Sequence, residues 1–419
     1  MDATKTQKAI FVIGVLFFIF GFVTWLNATL IPYLTMVCEL KSSVQQFFVT
    51  FAFYISYLVL SVPASLVLKK TGLKNGMPWG LAVMGIGALI FIPAAYQRSY
   101  PLFLFGLFVQ GGGLSLLQTA SNPYISILGP IESAAKRISI MGICNKLAGT
   151  LSPFILSAVL LKGTDTIRAK VAATTDSHIK EQLLNELAGR VVLPYTLIGI
   201  SLFILAFLIF RSSLPEIEVE SVEDNTVQTA DKKNIFGYPY LLLGVICIFF
   251  YTGVEVLAGD GIGVYGLSEG MKIAVTKNFS SYVLGAMLLG YIVGVICIPR
   301  RFSQLTGLRV SAVLGVVFST LSLLTGGYWA IFFIALMGLA NALMWPAIWP
   351  LAIDGLGRHL KTGAAMLVMG ICGAAVIPPI YGALKDLHVP NKAAFFYCAF
   401  PCYLYILYFA FAGYKRGRK

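Results

Sequence analysis

Apolar residues recur along this chain in blocks of about 20, separated mostly by short polar turns. A helix of that length crosses roughly 30 Å of hydrocarbon while satisfying its own backbone N–H and C=O groups. The pattern predicts twelve transmembrane helices, near residues 9–36, 44–68, 76–96, 101–128, 138–161, 191–211, 237–265, 279–299, 309–326, 328–352, 361–384 and 392–413. The first block follows Lys5 and Lys8, but it is too long for the apolar core of a signal peptide and lacks a small-residue cleavage site. It is expected to stay as a helix.

Two polar segments interrupt the rhythm. Residues 162–190 read as an outer loop carrying a short surface helix over Glu181–Leu187, most simply a connector. Residues 212–236, rich in Glu, Asp and Thr, read as a flexible cytoplasmic linker. They divide the chain into a six-helix domain at 1–211 and a second at 237–419. The halves echo one another: Phe18-Ile-Phe-Gly21 resembles Phe250-Tyr-Thr-Gly253, and Met141-Gly-Ile-Cys144 returns as Met369-Gly-Ile-Cys372. Matches in the same order at nearly equal offsets predict parallel repeats, with a solute cavity between them near the membrane midplane.

Composition agrees with an integral membrane protein. The 419 residues are 58% hydrophobic and 12% charged, and a mean hydropathy of +0.83 removes the soluble class. The net charge of +13 does not suggest nucleic acid, because its Lys and Arg sit in short turns. Lys69, Lys70, Lys74, Lys136, Arg137, Arg211, Lys232, Lys233, Arg300, Arg301, Arg309, Arg358, Lys361 and the Lys415-Arg416-Gly417-Arg418-Lys419 tail fall on one side, so both termini read as cytoplasmic. The seven cysteines form neither a metal spacing nor a disulfide framework.

Chemistry is concentrated in a few spans. Lys146, Glu255 and Asp260 lie inside apolar runs, where an unmatched charge costs roughly 3 kcal/mol on insertion scales. Such groups mark a polar pathway, and transport is the default reading. In the fourth span Gly111-Gly112-Gly113 permits close packing, and Gln118 and Asn122 then place two amides on one helix face. Asn27 in the first span, preceded by Thr24, Asn145 in the fifth and Asn341 in the tenth add neutral donors and acceptors. Trp345 and Trp349, also one turn apart, offer flat apolar faces. Amides with aromatic plates suit an uncharged polyhydroxylated solute, which needs its hydroxyls paired after desolvation. Interhelical packing is the competing role for each of these residues.

The motifs Leu26-Asn-Ala-Thr-Leu-Ile-Pro32, Leu117-Gln-Thr-Ala-Ser-Asn-Pro-Tyr124, Leu128-Gly-Pro130, Gly142-Ile-Cys-Asn-Lys146, Tyr251-Thr-Gly-Val-Glu255 and Asn341-Ala-Leu-Met-Trp-Pro-Ala-Ile-Trp-Pro350 are the most specific in the chain. In combination they resemble the fucose–galactose–glucose branch of the major facilitator superfamily of sugar symporters. The resemblance implies an all-α major facilitator fold, alternating access, and sugar uptake across the cytoplasmic membrane, the inner membrane in a Gram-negative cell. It carries over the family's fifth-span binding Asn as Asn145; with the polar and aromatic positions above, the expected substrate contacts are Gln118, Asn145 and Trp345 foremost, with Asn27, Asn122 and Asn341 supporting. The fucose-transporting members carry acids where this chain has Ala28 and Gln118, so their coupling mechanism does not transfer directly.

On the repeat alignment Asp260 stands at the position of Ala28, and Glu255 matches a Glu of the glucose-type members. Glu255 or Asp260 is therefore the expected cation-coupling acid. Lys146 tunes it, neutralising either carboxylate or holding a sugar hydroxyl. Proton coupling, sodium coupling and facilitated diffusion all remain open. So do the sugars: glucose or galactose is preferred, with N-acetylglucosamine and fructose as alternatives. With no Walker-type phosphate loop in the sequence, the class expected is a secondary transporter, not an enzyme, working as a monomer in the lipid bilayer without a resident cofactor.

Overall fold

In the computed structural model every span is helical; the structure describes residues 3–127, 134–174, 176–212, 234–298, 301–356 and 359–417. Among the described residues, twelve helical stretches are long and apolar enough to cross a membrane. The linker between residues 213 and 233, the Leu128-Gly-Pro130 motif, Lys232, Lys233, Arg300 and Arg358 lie outside the described residues.

The first span is α1 (Ala3–Thr24) followed by α2 (Asn27–Val37). The second and third spans form one stretch, α3 (Ser43–Gln97), bent at Gly72, whose φ of 76° is one a side chain would resist. Next come α4 (Tyr100–Ile127), α5 (Ala134–Leu160), α6 (Thr164–Ala173), α7 (Ser177–Gly189) and α8 (Val192–Arg211). The second half has α9 (Pro239–Ser268), α10 (Ile273–Thr276), α11 (Phe279–Cys297), α12 (Gln304–Leu324), α13 (Gly327–Asn341) and α14 (Met344–Ile353), then α15 (Leu360–Gly370), α16 (Gly373–Asp386) and α17 (Asn391–Phe411).

The chain thus agrees with the expected span count but breaks three spans that read as continuous. The tenth is interrupted between α13 and α14 at Ala342–Leu343, because Pro346 supplies no N–H to the carbonyl one turn earlier and its ring crowds it. The eleventh tightens between α15 and α16, where Ile371 and Cys372 donate to Val368 and Met369 over the shorter three-residue step. Pro378 and Pro379 follow in α16. The first tightens at Trp25–Leu26, where Leu26 N–H bonds Val23 O at 3.4 Å.

The expected surface helix at Glu181–Leu187 is the middle of the longer α7. It is docked: the Tyr33 hydroxyl of α2 lies 3.0 and 2.9 Å from the carbonyls of Leu187 and Ala188. Within the first half, α4 packs along α3 through the glycine run, since a Cβ at Gly111 would strike the Phe53 carbonyl and one at Gly113 the Gly80 carbonyl. On α8, Leu193, Ile204, Phe207 and Phe210 point outward, the face a helix offers to lipid.

The halves are fastened together at the end of the bundle away from the termini. Asp386, at the end of α16, accepts from Ser42 Oγ at 2.5 Å and from the backbone N–H groups of Ser43 and Val44 at 2.7 and 3.0 Å, at the start of α3. Asp165 of α6 accepts from the N–H groups of Ile273 and Ala274 in α10, at 3.2 and 2.9 Å. Beside the first contact a Cβ at Gly382 would meet the Ser43 carbonyl at 2.8 Å, so the helices close against each other's backbone.

Candidate functional site

Between the halves lies a cavity of about 130 Å³. Its wall takes residues from the first, second, fourth and fifth spans on one side and the seventh, eighth, tenth and eleventh on the other. Six of the nine residues singled out from sequence line it: Gln118, Asn122, Asn145, Lys146, Glu255 and Trp345.

The first half supplies the amides. Gln118 Nε2 donates to the Tyr57 hydroxyl at 3.0 Å, which fixes the orientation of the amide and leaves its carbonyl oxygen to the cavity. Asn145 Nδ2 lies 3.5 Å from the Phe17 carbonyl. The second half supplies aromatic rings. Trp345 stacks near Trp349 with centroids 5.2 Å apart and stands 6.3 Å from the Tyr251 ring, so its indole is held as one wall. Gln118 and Trp345 each stand five residues before a proline, Pro123 and Pro350. One repeat position therefore carries an amide in one half and an indole in the other.

The charged centre joins the halves. Lys146 Nζ on α5 donates to Glu255 Oε1 on α9 at 2.7 Å, with both side chains about nine-tenths buried. The same ammonium sits 4.4 Å from the centroid of the Trp25 ring, a cation–π contact strengthened by desolvation. Trp25 is in turn wedged between α5 and α9, since a Cβ at Gly149 or at Gly259 would overlap its indole. Of the two pairings left open for Lys146, the structure makes the one with Glu255.

Three residues from the sequence reading are not part of the wall. Asn341 faces α17 instead, where its Oδ1 accepts from the Tyr403 hydroxyl at 3.0 Å; the turn from α13 to α14 carries Trp345 to the cavity and leaves Asn341 behind it. Asn27 begins α2, past the Trp25–Leu26 break, and is 1% exposed. Asp260 lies further along α9 than Glu255, 1% exposed, with neither carboxylate oxygen hydrogen-bonded.

Sequence reasoning missed Trp25, Tyr54, Tyr57, Tyr251 and Tyr291, all on the wall. Tyr54 with Tyr57, and Tyr251 with Glu255, stand at helical one-turn spacings, so the faces were readable once one member had been placed. Thr252, also on the wall, has its hydroxyl 3.3 Å from the Ile371 carbonyl at the break in the eleventh span.

A chamber between two helical halves, walled by amides and aromatic rings, lined by broken spans and crossed by a buried ion pair, defines a membrane carrier. The chain belongs to the Major Facilitator Superfamily, whose family model matches residues 13–379. It is a multi-pass integral membrane protein and a secondary transporter. A glucose/galactose transporter of Brucella abortus is 33% identical over 422 residues, spanning 98% of this chain and 96% of that one. An L-fucose-proton symporter of Escherichia coli is 25% identical over 375 residues, 88% of this chain and 85% of its own. A crystal structure of the Escherichia coli fucose:proton symporter superposes with a TM-score of 0.74 at 23% identity, over 97% and 98% of the two chains.

Proposed function

We propose that this carrier takes up a neutral hexose together with a cation by alternating access, with D-glucose or D-galactose as the solute. The observation that carries the reading is the Lys146–Glu255 pair, which spans the two halves on the wall of the cavity. Relatives covering nearly the whole chain are a glucose/galactose transporter and an L-fucose-proton symporter, and the wall suits such a solute. Gln118, Asn122 and Asn145 offer amides to sugar hydroxyls, and Trp345 offers a face for ring C–H groups. Lys146 donates to a further hydroxyl from beside Glu255.

The basic turns favour cytoplasmic termini, and with that orientation the end fastened by Asp386 and Asp165 is the external one. Coupling follows from linkage: a cation that lowers the cost of burying a carboxylate favours the occluded loaded carrier, and sugar favours cation binding by the same factor.

Purified protein in liposomes, given labelled D-glucose or D-galactose with proton and sodium gradients imposed separately, tests this reading. Accumulation above equilibrium under one gradient is expected. Mere equilibration under both would make the protein a uniporter for that sugar, and competition by N-acetylglucosamine or fructose would move the solute assignment.

A further inference from the structure

The buried charges of the spans do not balance. Among the described residues within the membrane spans, the buried side chains of charged type are Lys146, Glu255 and Asp260: one ammonium against two carboxylates. Lys146 is committed to Glu255 at 2.7 Å, and its ammonium sits 4.4 Å from the centroid of the Trp25 ring. That pair is neutral as it stands. Asp260 has no such partner: it is 1% exposed, and both of its oxygens lack a hydrogen bond. The charged groups near enough to act on it electrostatically are Glu255 on its own helix and Lys146 across the interface, and among the tyrosines Tyr54 of the second span. Polar atoms without partners also occur on the helices packed against α9, at Asn27 and Thr29 of α2 and at Ser280 and Ser281 of α11.

A carboxylate sealed at such depth must be neutralised before the carrier can occlude, whereas an ion pair with good geometry need not be. We propose that the carrier takes one cation per sugar, at the Asp260 carboxylate, and that Lys146 holds the number at one by acting as a built-in cation for Glu255. This rests on the cation-coupled reading given above. A proton would add to one Asp260 oxygen, and a sodium ion would be coordinated by both; the charge count is the same. Removing the ammonium would leave Glu255 in the position of Asp260 and call for a second cation.

The number is readable as an exponent. With membrane potential clamped at zero in liposomes, the steady-state accumulation ratio of labelled D-galactose or D-glucose equals the imposed cation ratio raised to the cations carried per sugar. The wild-type protein is expected to give an exponent of one, Lys146→Arg one, Lys146→Gln two, and Lys146→Gln with Glu255→Gln one again. Asp260→Asn is expected to lose accumulation and to bind sugar with an affinity independent of the cation. Should Lys146→Gln fail to turn over, equilibrium sugar binding in detergent gives the same count. The slope of log Kd against log cation concentration then doubles relative to the wild type.

An exponent of one for Lys146→Gln, or accumulation that survives Asp260→Asn, overturns the inference while leaving symport intact. A wild-type protein that only equilibrates sugar under either gradient removes the cation-coupled reading itself.

Discussion

The two halves meet in two chemically different ways. At the cavity they join through side chains, the Lys146 ammonium of one half on the Glu255 carboxylate of the other. At the end away from the termini, side-chain carboxylates instead hold backbone: Asp386 on Ser43 and Val44, and Asp165 on Ile273 and Ala274. Long flexible side chains can exchange partners with a ligand while the helices stay in place. Backbone N–H groups cannot turn away, so the far contacts break only when whole helices separate. The cavity contact is therefore suited to sensing an occupant, and the far contacts to holding a state.

The largest effect should come from breaking the cavity contact on one side only. Glu255→Gln leaves a buried ammonium without its counter-ion, a penalty of about 3–5 kcal/mol. Uptake should be lost and the unfolding temperature in detergent should fall; adding Lys146→Gln should recover part of that temperature. A double variant less stable than Glu255→Gln would show that the pair is not the reason.

Next is the far end. Asp386→Ala removes the acceptor of three hydrogen bonds, which at this solvent-exposed rim contribute about 0.5–1 kcal/mol each. Spin labels at Lys41 and His388 should report a new population at longer separation, and a distance distribution identical to wild type would assign the closure to the Gly382 packing alone. Smaller again is Gln118→Ala, which should weaken sugar binding by about 1–3 kcal/mol, several-fold to over a hundredfold, without moving the spin-label distances. Calorimetric titration with sugar reads it directly. The least is Tyr403→Phe, which removes the hydroxyl bonded to Asn341 outside the cavity. About 1 kcal/mol of stability should go with sugar affinity unchanged; a loss of affinity would return Asn341 to the site.

Much of this was legible in the chain. Apolar block length gave the spans, and charges or amides inside those blocks gave five wall residues, because the cost of burying polar groups in hydrocarbon leaves them few places to go. What was not legible depends on contacts across long sequence separations. Met141-Gly-Ile-Cys144 and Met369-Gly-Ile-Cys372 are the same tetrapeptide, yet the first lies in the unbroken α5 and the second straddles the break before α16. A pair of prolines, Pro378 and Pro379, follows the second tetrapeptide, whereas a single one, Pro153, follows the first at a slightly greater spacing. The partner of Lys146 could not be chosen either, since Glu255 and Asp260 share one helix and only the packing against Trp25 brings the ammonium to the first. The contacts of Asp165 and Asp386 are not legible either, because an acid in a polar turn is ordinary until its oxygens are seen to accept from donors of the other half.

The far contacts also have the arrangement of a two-fold dimer interface. Ser43 and Val44 occupy in the first half the places that Ile273 and Ala274 occupy in the second, each pair at the start of a matching helix region and each receiving an acid from the opposite half. An isologous contact of this kind forms twice for every residue that creates it. Since Ser43, Val44, Ile273 and Ala274 are held through their main-chain N–H groups, their side chains are free to differ, and here they do: Ser-Val against Ile-Ala. Two duplicated subunits fused into one chain can in this way drift apart in what they bind at the centre while the rim that joins them keeps its original symmetry.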